Sequence, residues 1–542
     1  MKKRPSLPEI ADSERTALVV ALLAVIEGMW ETVQKQDEEI AGLKDEIAVL
    51  KGEKKRPAFK PSGMEQNSDT DSSSSETEDR QKPPKRRPKR HKTQNLVIHE
   101  DRVMRPAHPE EGCRFKGYRD YVVQDLHLEA RTIRYRLECW QTPQGSYVSG
   151  ELPPEVSGHF GARLQAALKD LHHHARIPQP LCREMLQEWG VDISVGQIDA
   201  LLSDRHTLFT AEKNALLRVG LEVSPAITVD DTGHRHQGKN GYTTHIGNAD
   251  FAWFASTDSK SRLNFLTLLR AGETHRTLTL EGLATMHQQG LPQDMIQRLA
   301  THAVQDFADE TAWQAHLAAL GIHKERHQRI AGEGIQCGCL LQNDRWRKLV
   351  IVSDDAGQFN VPGLLHALCW VHSERLIHKL IPLNEAHRQA QAQVRGQLWE
   401  LYRDLKQYAL APDAAQKSAL QTRFDALFTQ KTEYATLNSL LKRLYRNKAE
   451  LLRVLDHPQT PLHTNGSERD IREQVIRKKI SGGTRSDLGR QCRDTFLSLK
   501  KTCRKLGISF WQYLLDRTLG TNTIAPLHEL VRQRAMDRAV GY

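Results

Sequence analysis

Two short apolar runs, each ending in a pair of aspartates, constrain the fold more than any other feature. Residues 226–229 lead into Asp230-Asp231, and residues 348–353 lead into Asp354-Asp355. Continuous apolar runs of this length are typical of central strands that are covered on both faces. The pattern therefore predicts core strands of an α/β fold, and residues 242–246 and 251–256 predict two further strands.

The paired acids predict a metal-dependent site. Carboxylates at adjacent strand ends can converge on one point, and Glu468 would bring a third from a helix that we expect to begin near Asn465. Oxygen ligands of this kind suit Mg²⁺ or Mn²⁺. Two such ions about 3.5–4 Å apart would activate a water or 3′-hydroxyl and stabilise the leaving oxygen. Aspartates also cap turns at strand ends, so the residues alone leave both interpretations open.

Positive charge is concentrated around the third acid. The whole chain has 77 Lys and Arg against 67 Asp and Glu, a net charge of +10. Between Glu468 and Lys505 the count is twelve against five, so this segment alone carries +7 (12 − 5). Bases that bind phosphate beside an acid that binds metal suit phosphodiester chemistry. We expect phosphate contacts from Arg469, Arg472, Arg477, Lys478 and Lys479; a solvated helix is the alternative.

Several motifs in a fixed order resemble the insertion-sequence-sixty-six family of DDE transposases. Val229-Asp230-Asp231-Thr232 resembles its first acidic motif, and residues 353–360 resemble its second. Cys369-Trp370-Val371-His372 is similar to its C-W-x-H signature. Residues 465–472, followed by Lys478-Lys479, resemble its N-x-x-E-R-x-x-R motif and basic pair, and residues 506–508 its closing pattern.

The resemblance implies an α/β RNase H-like catalytic core with a helical insertion, preceded by a coiled coil and small DNA-binding domains. It implies cleavage and strand transfer at the ends of a mobile element, with Asp230, Asp354 and Glu468 as catalytic metal ligands. The cofactor would be Mg²⁺ or Mn²⁺, two ions per site, and the partner double-stranded DNA of element ends and target. Cys369, His372, Asp231 and Asp355 would orient the site. A nuclease that cuts without joining and a dimeric DNA-binding regulator remain alternatives.

The N-terminal third is read from its patterning. A heptad repeat over residues 14–51 predicts a coiled coil and self-association, and residues 52–95 predict a disordered acidic and basic linker. Residues 96–157 read as a small mixed module, with strands at 118–123 and 132–140 and a turn at 143–145. The family usually has a cysteine-pair zinc module here, but only Cys113, Cys139 and His108 are present, so we do not expect zinc.

The remaining boundaries follow the same logic. Residues 158–222 read as helical, and 178–188 with 194–202 suit either a helix-turn-helix or an ordinary helical hairpin. We assign residues 223–375 and 461–520 to the two parts of the core, 376–460 to the helical insertion and 521–542 to a C-terminal helix or tail. Residues 336–339, which hold Cys337 and Cys339, read as a turn.

The composition indicates the cellular environment that we expect for the chain. Eight cysteines in 542 residues do not form a disulfide framework, and no apolar run approaches the roughly 18 residues of a membrane span. The expected location is the cytoplasm of a bacterium, in association with the nucleoid, with further element-encoded proteins as candidate partners.

Overall fold

The structure is a computed structural model. It describes residues 97–104, 118, 121–126, 128–153, 156 and 158–540, together with residues 29 and 36. Apart from those two positions, the predicted coiled coil lies outside the described residues, as do the predicted linker, Cys113 and His108.

The small module before the core holds one short hairpin among its described residues. Strand β1 (Cys139–Gln141) pairs antiparallel with β2 (Tyr147–Ser149) across a turn in which Gly145 has φ +84°. The predicted strands at 118–123 and 132–140 are wrong for every described residue before Cys139. The apolar side chains of these described residues are exposed. Because no core buries them, the alternating apolar pattern lacks the packing that usually stabilises a strand.

A small helical unit follows. Its helices are α1 (Ala162–Lys169), continued by a π-helical turn (Asp170–His174), α2 (Gln179–Glu188), α3 (Val195–Ser203) and the longer α4 (His206–Val223). The first three enclose a core that includes Leu168, Leu186 and Ile198. The predicted pair of helices is present as α2 and α3, but α3 contains no Lys or Arg. That composition favours the helical hairpin, because a helix in a DNA groove usually carries basic side chains.

The first three strands of the central sheet form an antiparallel meander. They are β3 (Ala226–His236), β4 (Lys239–Gly247) and β5 (Ala252–Thr257), followed by α5 (Arg262–Leu269). These strands include the positions predicted at 226–229 and 242–246, and all of 251–256 except Phe251, which lies just before β5. Apolar residues of β3 and β4, such as Ile227, Val229 and Ile246, are fully buried in the main core, which explains their β-branched runs.

A helical unit that the sequence analysis missed separates this meander from the rest of the sheet. It comprises β6 (Arg276–Thr277), α6 (Leu280–Gln288), α7 (Gln293–Thr301), β7 (Asp306–Phe307), α8 (Glu310–Ala319), α9 (Glu325–Leu341) and α10 (Asp344–Lys348). It has its own core, which includes Trp313 and Ile335. The turn predicted at 336–339 is wrong, because these residues lie inside α9. Their glycine serves close helix packing rather than a turn.

We expect Gly338→Ala to destabilise the protein by about 1–3 kcal/mol, the usual cost of overpacking. A Cβ at Gly338 would lie 2.9 Å from Cα of Gly282 and 2.5 Å from Oγ1 of Thr279, so α6 and α9 would have to separate. Gly396→Ala is the matched control, because a Cβ there meets nothing within 4 Å. That change, in the interior of a helix, should stabilise by about 0.5–1 kcal/mol. Urea unfolding followed by circular dichroism measures both, and equal shifts in the same direction would contradict the packing argument.

Two parallel strands complete the sheet. They are β8 (Val350–Ser353) and β9 (Leu365–Leu368), and the order is β5-β4-β3-β8-β9. Strand β3 pairs parallel with β8, and Thr228 lies opposite Val352. Extending that register by two residues places Asp230 opposite Asp354. The fold is thus mixed α/β around a five-stranded sheet, as the strand-end pattern predicted.

A second helical unit follows β9, in the region where the sequence predicted an insertion. It consists of α11 (Trp370–His378), α12 (Glu385–Leu410), α13 (Ala414–Thr429), α14 (Ala435–Arg446), α15 (Lys448–Leu451) and a 3₁₀ turn (Arg453–Leu455). Its core contains Trp370, Leu398, Phe424 and Phe428. This unit is called the second insertion below.

Four helices end the chain: α16 (Asn465–Ser481), α17 (Asp487–Leu506), α18 (Phe510–Leu519) and α19 (Leu527–Val540). Helix α16 packs on β3 and β4, and α17 packs on β5. Hydroxyl and carboxylate side chains fix α17 to β5, since Asp494 accepts from the Ser256 backbone N–H at 2.7 Å and Ser498 from that of Phe254 at 2.9 Å. Among the described residues, no helix is long and apolar enough to cross a membrane.

Candidate active site

The face of β3 that carries Asp230 is covered by α16. Alternate residues of a strand share a face, so Thr228 and Asp230 point the same way. The Ser467 hydroxyl of α16 donates to Oγ1 of Thr228 at 2.6 Å. Because Ser467 immediately precedes Glu468, this buried hydrogen bond fixes the first turn of α16 beside Asp230.

The side chain of the neighbouring Asp231 points to the opposite face of β3 and already has hydrogen-bond partners. Its carboxylate accepts from Nε2 of Gln358 at 2.6 Å and from Nζ of Lys260 at 3.3 Å. The Asp231 backbone N–H donates to Oδ1 of Asp230 at 2.8 Å. Asp231 therefore ties β3 to the segments after β5 and β8 and supports the Asp230 carboxylate through its backbone.

The carboxyl group of Asp230 is mostly buried and has a strongly shifted pKa. Burial raises the pKa of Asp230 to about 7, and the nearby Asp354 and Asp231 charges add to that rise, although the backbone hydrogen bond from Asp231 opposes it. Asp354 accepts from the backbone N–H of Ala356 at 3.1 Å, which orients it after the end of β8. Burial of the Asp230 carboxyl is thus the main cause of its raised pKa, and the charge of Asp354 is a smaller one.

Glu468 sits in the first turn of α16 and is held by a guanidinium group. Arg375 of α11 donates from Nη1 and Nη2 to the two carboxylate oxygens of Glu468, at 2.9 and 3.1 Å. His372 Nε2 lies 3.5 Å from Oε1 of Glu468. The charge of His372 also acts on Asp230, so His372 influences both Asp230 and Glu468 electrostatically.

Cys369 and His372 form a polarised pair at the start of α11. Burial alone would lower the pKa of His372, but the Cys369 thiol and the Glu468 carboxylate raise it to about 9. Burial alone would raise the pKa of the Cys369 thiol, but His372 lowers it. Cys369 Sγ also accepts from the backbone N–H of Thr464 at 3.3 Å, directly before α16. The pair therefore connects α11 to the helix that carries Glu468.

A divalent cation fits part of this arrangement. Asp230 and Asp354 offer carboxylate oxygen atoms, the hard ligands that Mg²⁺ and Mn²⁺ prefer. Within the described residues, however, no three His, Cys, Asp or Glu side chains form a ready-made metal site. Glu468 could join the other two acids only by exchanging its bidentate contact with Arg375 for the cation.

The basic side chains of α16 divide into two sets. Arg469, Arg472, Lys478 and Lys479 are exposed, and Lys478 also donates from Nζ to the Gly233 carbonyl at 3.3 Å. Arg477 is only 6% exposed, and its Nη1 lies 3.5 Å from Nδ1 of His173. Burial lowers the pKa of Arg477 to about 9. Arg477 is therefore not placed to bind phosphate in this arrangement, unlike the expectation from the charge count.

Sequence reasoning gave no role to Arg375 or Asn447, which contact acidic residues of the site. Arg375, on Glu468, is one turn from His372 on α11, so its i, i+3 spacing to the C-W-x-H signature was the available signal. Arg262 joins the buried Glu333 at 3.0 Å to the Gly357 carbonyl at 2.9 Å and thereby supports the segment after Asp354. Asp355 faces the second insertion, where Nδ2 of Asn447 lies 3.4 Å from its Oδ1.

Comparison with known proteins bears on this arrangement. The family model described as "Transposase IS66 family" matches residues 293–492, which include Asp354, the Cys369–His372 pair and Glu468. The chain belongs to the IS66 family of transposases. The matched part of the transposase begins in α7 and ends in α17, so it contains the second insertion but not Asp230.

A relative extends the similarity without adding a function. The uncharacterized protein y4jO of Sinorhizobium fredii (strain NBRC 101917 / NGR234) is 44% identical over 326 residues. That alignment covers 59% of the transposase and the whole length of y4jO.

Proposed function

We propose that this IS66-family protein is a DDE-type transposase that cleaves DNA at the ends of an insertion sequence and joins the new ends to target DNA. The observation that carries the proposal is the parallel pairing of β3 with β8, whose last pair, Thr228 with Val352, lies two residues before each aspartate. The hydrogen bond from Ser467 to Thr228 supports a position for Glu468 near the same face. The strand order β5-β4-β3-β8-β9, antiparallel then parallel, supports an RNase H-like core.

Asp230 and Asp354 are the proposed primary ligands of Mg²⁺ or Mn²⁺, and Glu468 completes a two-ion site after leaving Arg375. When bound, the ions supply Lewis-acid activation of the attacking oxygen and stabilise the leaving oxygen. Ser467 and Thr228 hold the first turn of α16 on β3, so Glu468 has little freedom to drift from the two aspartates. Asp231 and Asp355 orient neighbouring segments rather than bind metal.

The chain's own cations bind and position the substrate in this proposal. Arg469, Arg472, Lys478 and Lys479 are exposed along α16 and hold phosphates near Glu468. His372 keeps a positive charge between Asp230 and Glu468, which limits their repulsion before substrate arrives. The Cys369 contact to Thr464 keeps α11 and α16 in register during that step.

Further parts of the proposal concern assembly. Transposition joins two element ends, so we propose a homodimer or larger oligomer formed through the heptad repeat at residues 14–51. The partners are double-stranded DNA of the element ends and target, with element-encoded accessory proteins as candidates. The proposed place of action is the bacterial nucleoid, where target DNA is found.

Strand transfer by the purified full chain tests the proposal. The substrate is labelled duplex DNA bearing the inverted repeats that flank the gene, with Mg²⁺ or Mn²⁺. We expect joined products that disappear when EDTA removes the metal. Metal-dependent nicking without joining would instead favour a nuclease, and binding without any metal-dependent chemistry would favour a dimeric regulator.

A further inference from the structure

Helix α14 carries the largest unbalanced charge of the second insertion. Lys442, Arg443 and Arg446 are exposed, and no Asp or Glu occurs within Ala435–Arg446. The opposite side of the helix is buried through Leu437, Leu441 and Leu444. The three cations therefore share the solvent side of an amphipathic helix.

Several other cations of the same unit have acidic partners. Arg388 pairs with Glu385, Arg423 with Asp404, Lys417 with Asp456 and Lys448 with Asp425. A surface that is merely solvated is usually mixed in this way, with both signs interspersed. Helix α14 departs from that pattern at Lys442 and Arg446, which have no acidic partner among the described residues, while Arg443 lies 3.9 Å from Asp355. The excess of positive charge on this helix indicates that it faces an external anion.

The basic face of α14 begins beside the proposed catalytic acids. Nη2 of Arg443 lies 3.9 Å from Oδ2 of Asp355, and Nδ2 of Asn447 lies 3.4 Å from Oδ1 of the same residue. Asp355 directly follows Asp354. Arg446 is three residues beyond Arg443 and therefore lies on the same side of the helix. The guanidinium groups of Arg443 and Arg446 therefore lie along one side of α14, with Arg443 next to Asp355.

A small cleft lies between the segment after Asp354 and the residues that follow α14. Asp355 and Gly357 line one part of it, and Asn447 and Glu450 line another. The carboxylates of Asp355 and Glu450 would repel a phosphate that entered the cleft. A DNA backbone is therefore expected to follow the exposed cations of α14 rather than enter the cleft.

We propose that Arg443 and Arg446, with Lys442, bind phosphates of duplex DNA next to the scissile phosphate. The proposal rests on the proposed function, since it takes Asp354 as part of the catalytic site. The exposed cations of α16 would hold DNA near Glu468, and α14 would hold it near Asp354. Asp355 is then a positioning residue that keeps Arg443 at the edge of the site.

Salt-dependent DNA binding by the full chain tests this surface. The variant is Arg443→Gln with Arg446→Gln, and the control is Arg388→Gln with Arg423→Gln, which removes the same charge from the same insertion. Each lost phosphate contact should reduce the slope of log affinity against log salt by about 0.9. Two contacts then change the variant's affinity relative to wild type by roughly tenfold between ~0.05 and ~0.2 M salt. The control should keep the wild-type slope.

The outcomes separate this inference from the proposed function. A reduced slope in the variant alone supports the α14 surface, whether or not the wild-type protein joins DNA ends. Wild-type binding without joining would remove the proposed function and leave the slope comparison intact. Equal slopes in wild type and variant, with circular dichroism showing both folded, would overturn the inference; capture of an acidic protein by this face would then be the alternative.

Discussion

Asp230→Asn is expected to lower strand transfer by about a thousandfold while leaving DNA binding within about twofold. Loss of a metal ligand should remove several kcal/mol of transition-state stabilisation, and each 1.36 kcal/mol corresponds to tenfold in rate. Asparagine keeps the shape of the side chain, so its hydrogen bond from the Asp231 backbone can persist. Product formation at saturating DNA measures the first effect, and fluorescence anisotropy in EDTA measures the second.

Asp231→Asn is the matched control, one residue away on the same strand. Its side chain faces Gln358 and Lys260 rather than Asp354, and the amide oxygen can still accept from Gln358. We expect strand transfer within about tenfold of wild type, the loss of one exposed ion pair being worth about 1 kcal/mol at most. If Asp231→Asn abolished joining while Asp230→Asn retained it, the assignment of the first catalytic acid would be reversed.

Trp370→Ala is expected to destabilise the second insertion by about 3–5 kcal/mol, the usual cost of truncating a buried tryptophan. Trp370 is fully buried, its ring meets Phe424 edge-to-face, and Nε1 donates to the Leu451 carbonyl at 2.8 Å. Alanine would leave a cavity and an unpaired carbonyl. Urea unfolding followed by circular dichroism measures the free energy lost.

Trp399→Ala is the control, which tests whether removal of any tryptophan from this insertion lowers the free energy of unfolding by the same amount. Trp399 lies on α12 at the margin of the same core, partly buried, with its ring 6.0 Å from that of Tyr402. We expect a loss of about 1 kcal/mol, near the average for point substitutions. Similar losses for the two tryptophans would argue against Trp370 as the central packing residue of the insertion.

The positions of the two strands could be predicted because their signal is local. Residues 226–229 and 350–353 are mostly apolar or β-branched, so both strands are visible without tertiary information. The predicted strand end at Asp230 is wrong, because β3 continues through Asp230 to His236, whereas Asp354 does follow the end of β8. The helix of Glu468 was equally visible from its motif. What those patterns cannot give is the pairing of β3 with β8, because register depends on contacts between residues more than 100 positions apart.

The helical unit between the meander and β8 was missed because most of its helices are short and the glycines of α9 resemble those of a turn. Gly334 and Gly338 interrupt the apolar pattern of α9, although their absent side chains let α6 approach. Two helix starts were nonetheless signalled, since Thr279 and Asp309 are N-cap residues whose side chains accept from Gly282 and Ala312. Attention to such caps would have divided residues 280–320 correctly.

The count of basic residues wrongly predicted a phosphate contact for Arg477, because it too used no tertiary information. A sum over residues 468–505 treats every basic side chain alike, but a helix packed on a sheet must turn some of them inward. Arg477 follows Gln474 by three residues, and both are buried, whereas Arg472 and Lys479 are exposed. Only the orientation of α16 on β3 and β4 distinguishes these positions.

The second insertion leaves the core and returns to it at nearly one point. The backbone N–H of Trp370, at its start, donates to the carbonyl of Leu462, at its end, at 2.9 Å. Because the two ends are joined there, the length of chain between them has little bearing on where Asp354 and Glu468 stand, and loop length itself changes the closure entropy only slowly. We expect the transposase to behave as a modular protein in this respect. The roughly eighty residues that follow α11 can be lengthened, shortened or exchanged over evolution, while α11, which holds Glu468 through Arg375, and the acid-bearing scaffold keep their geometry.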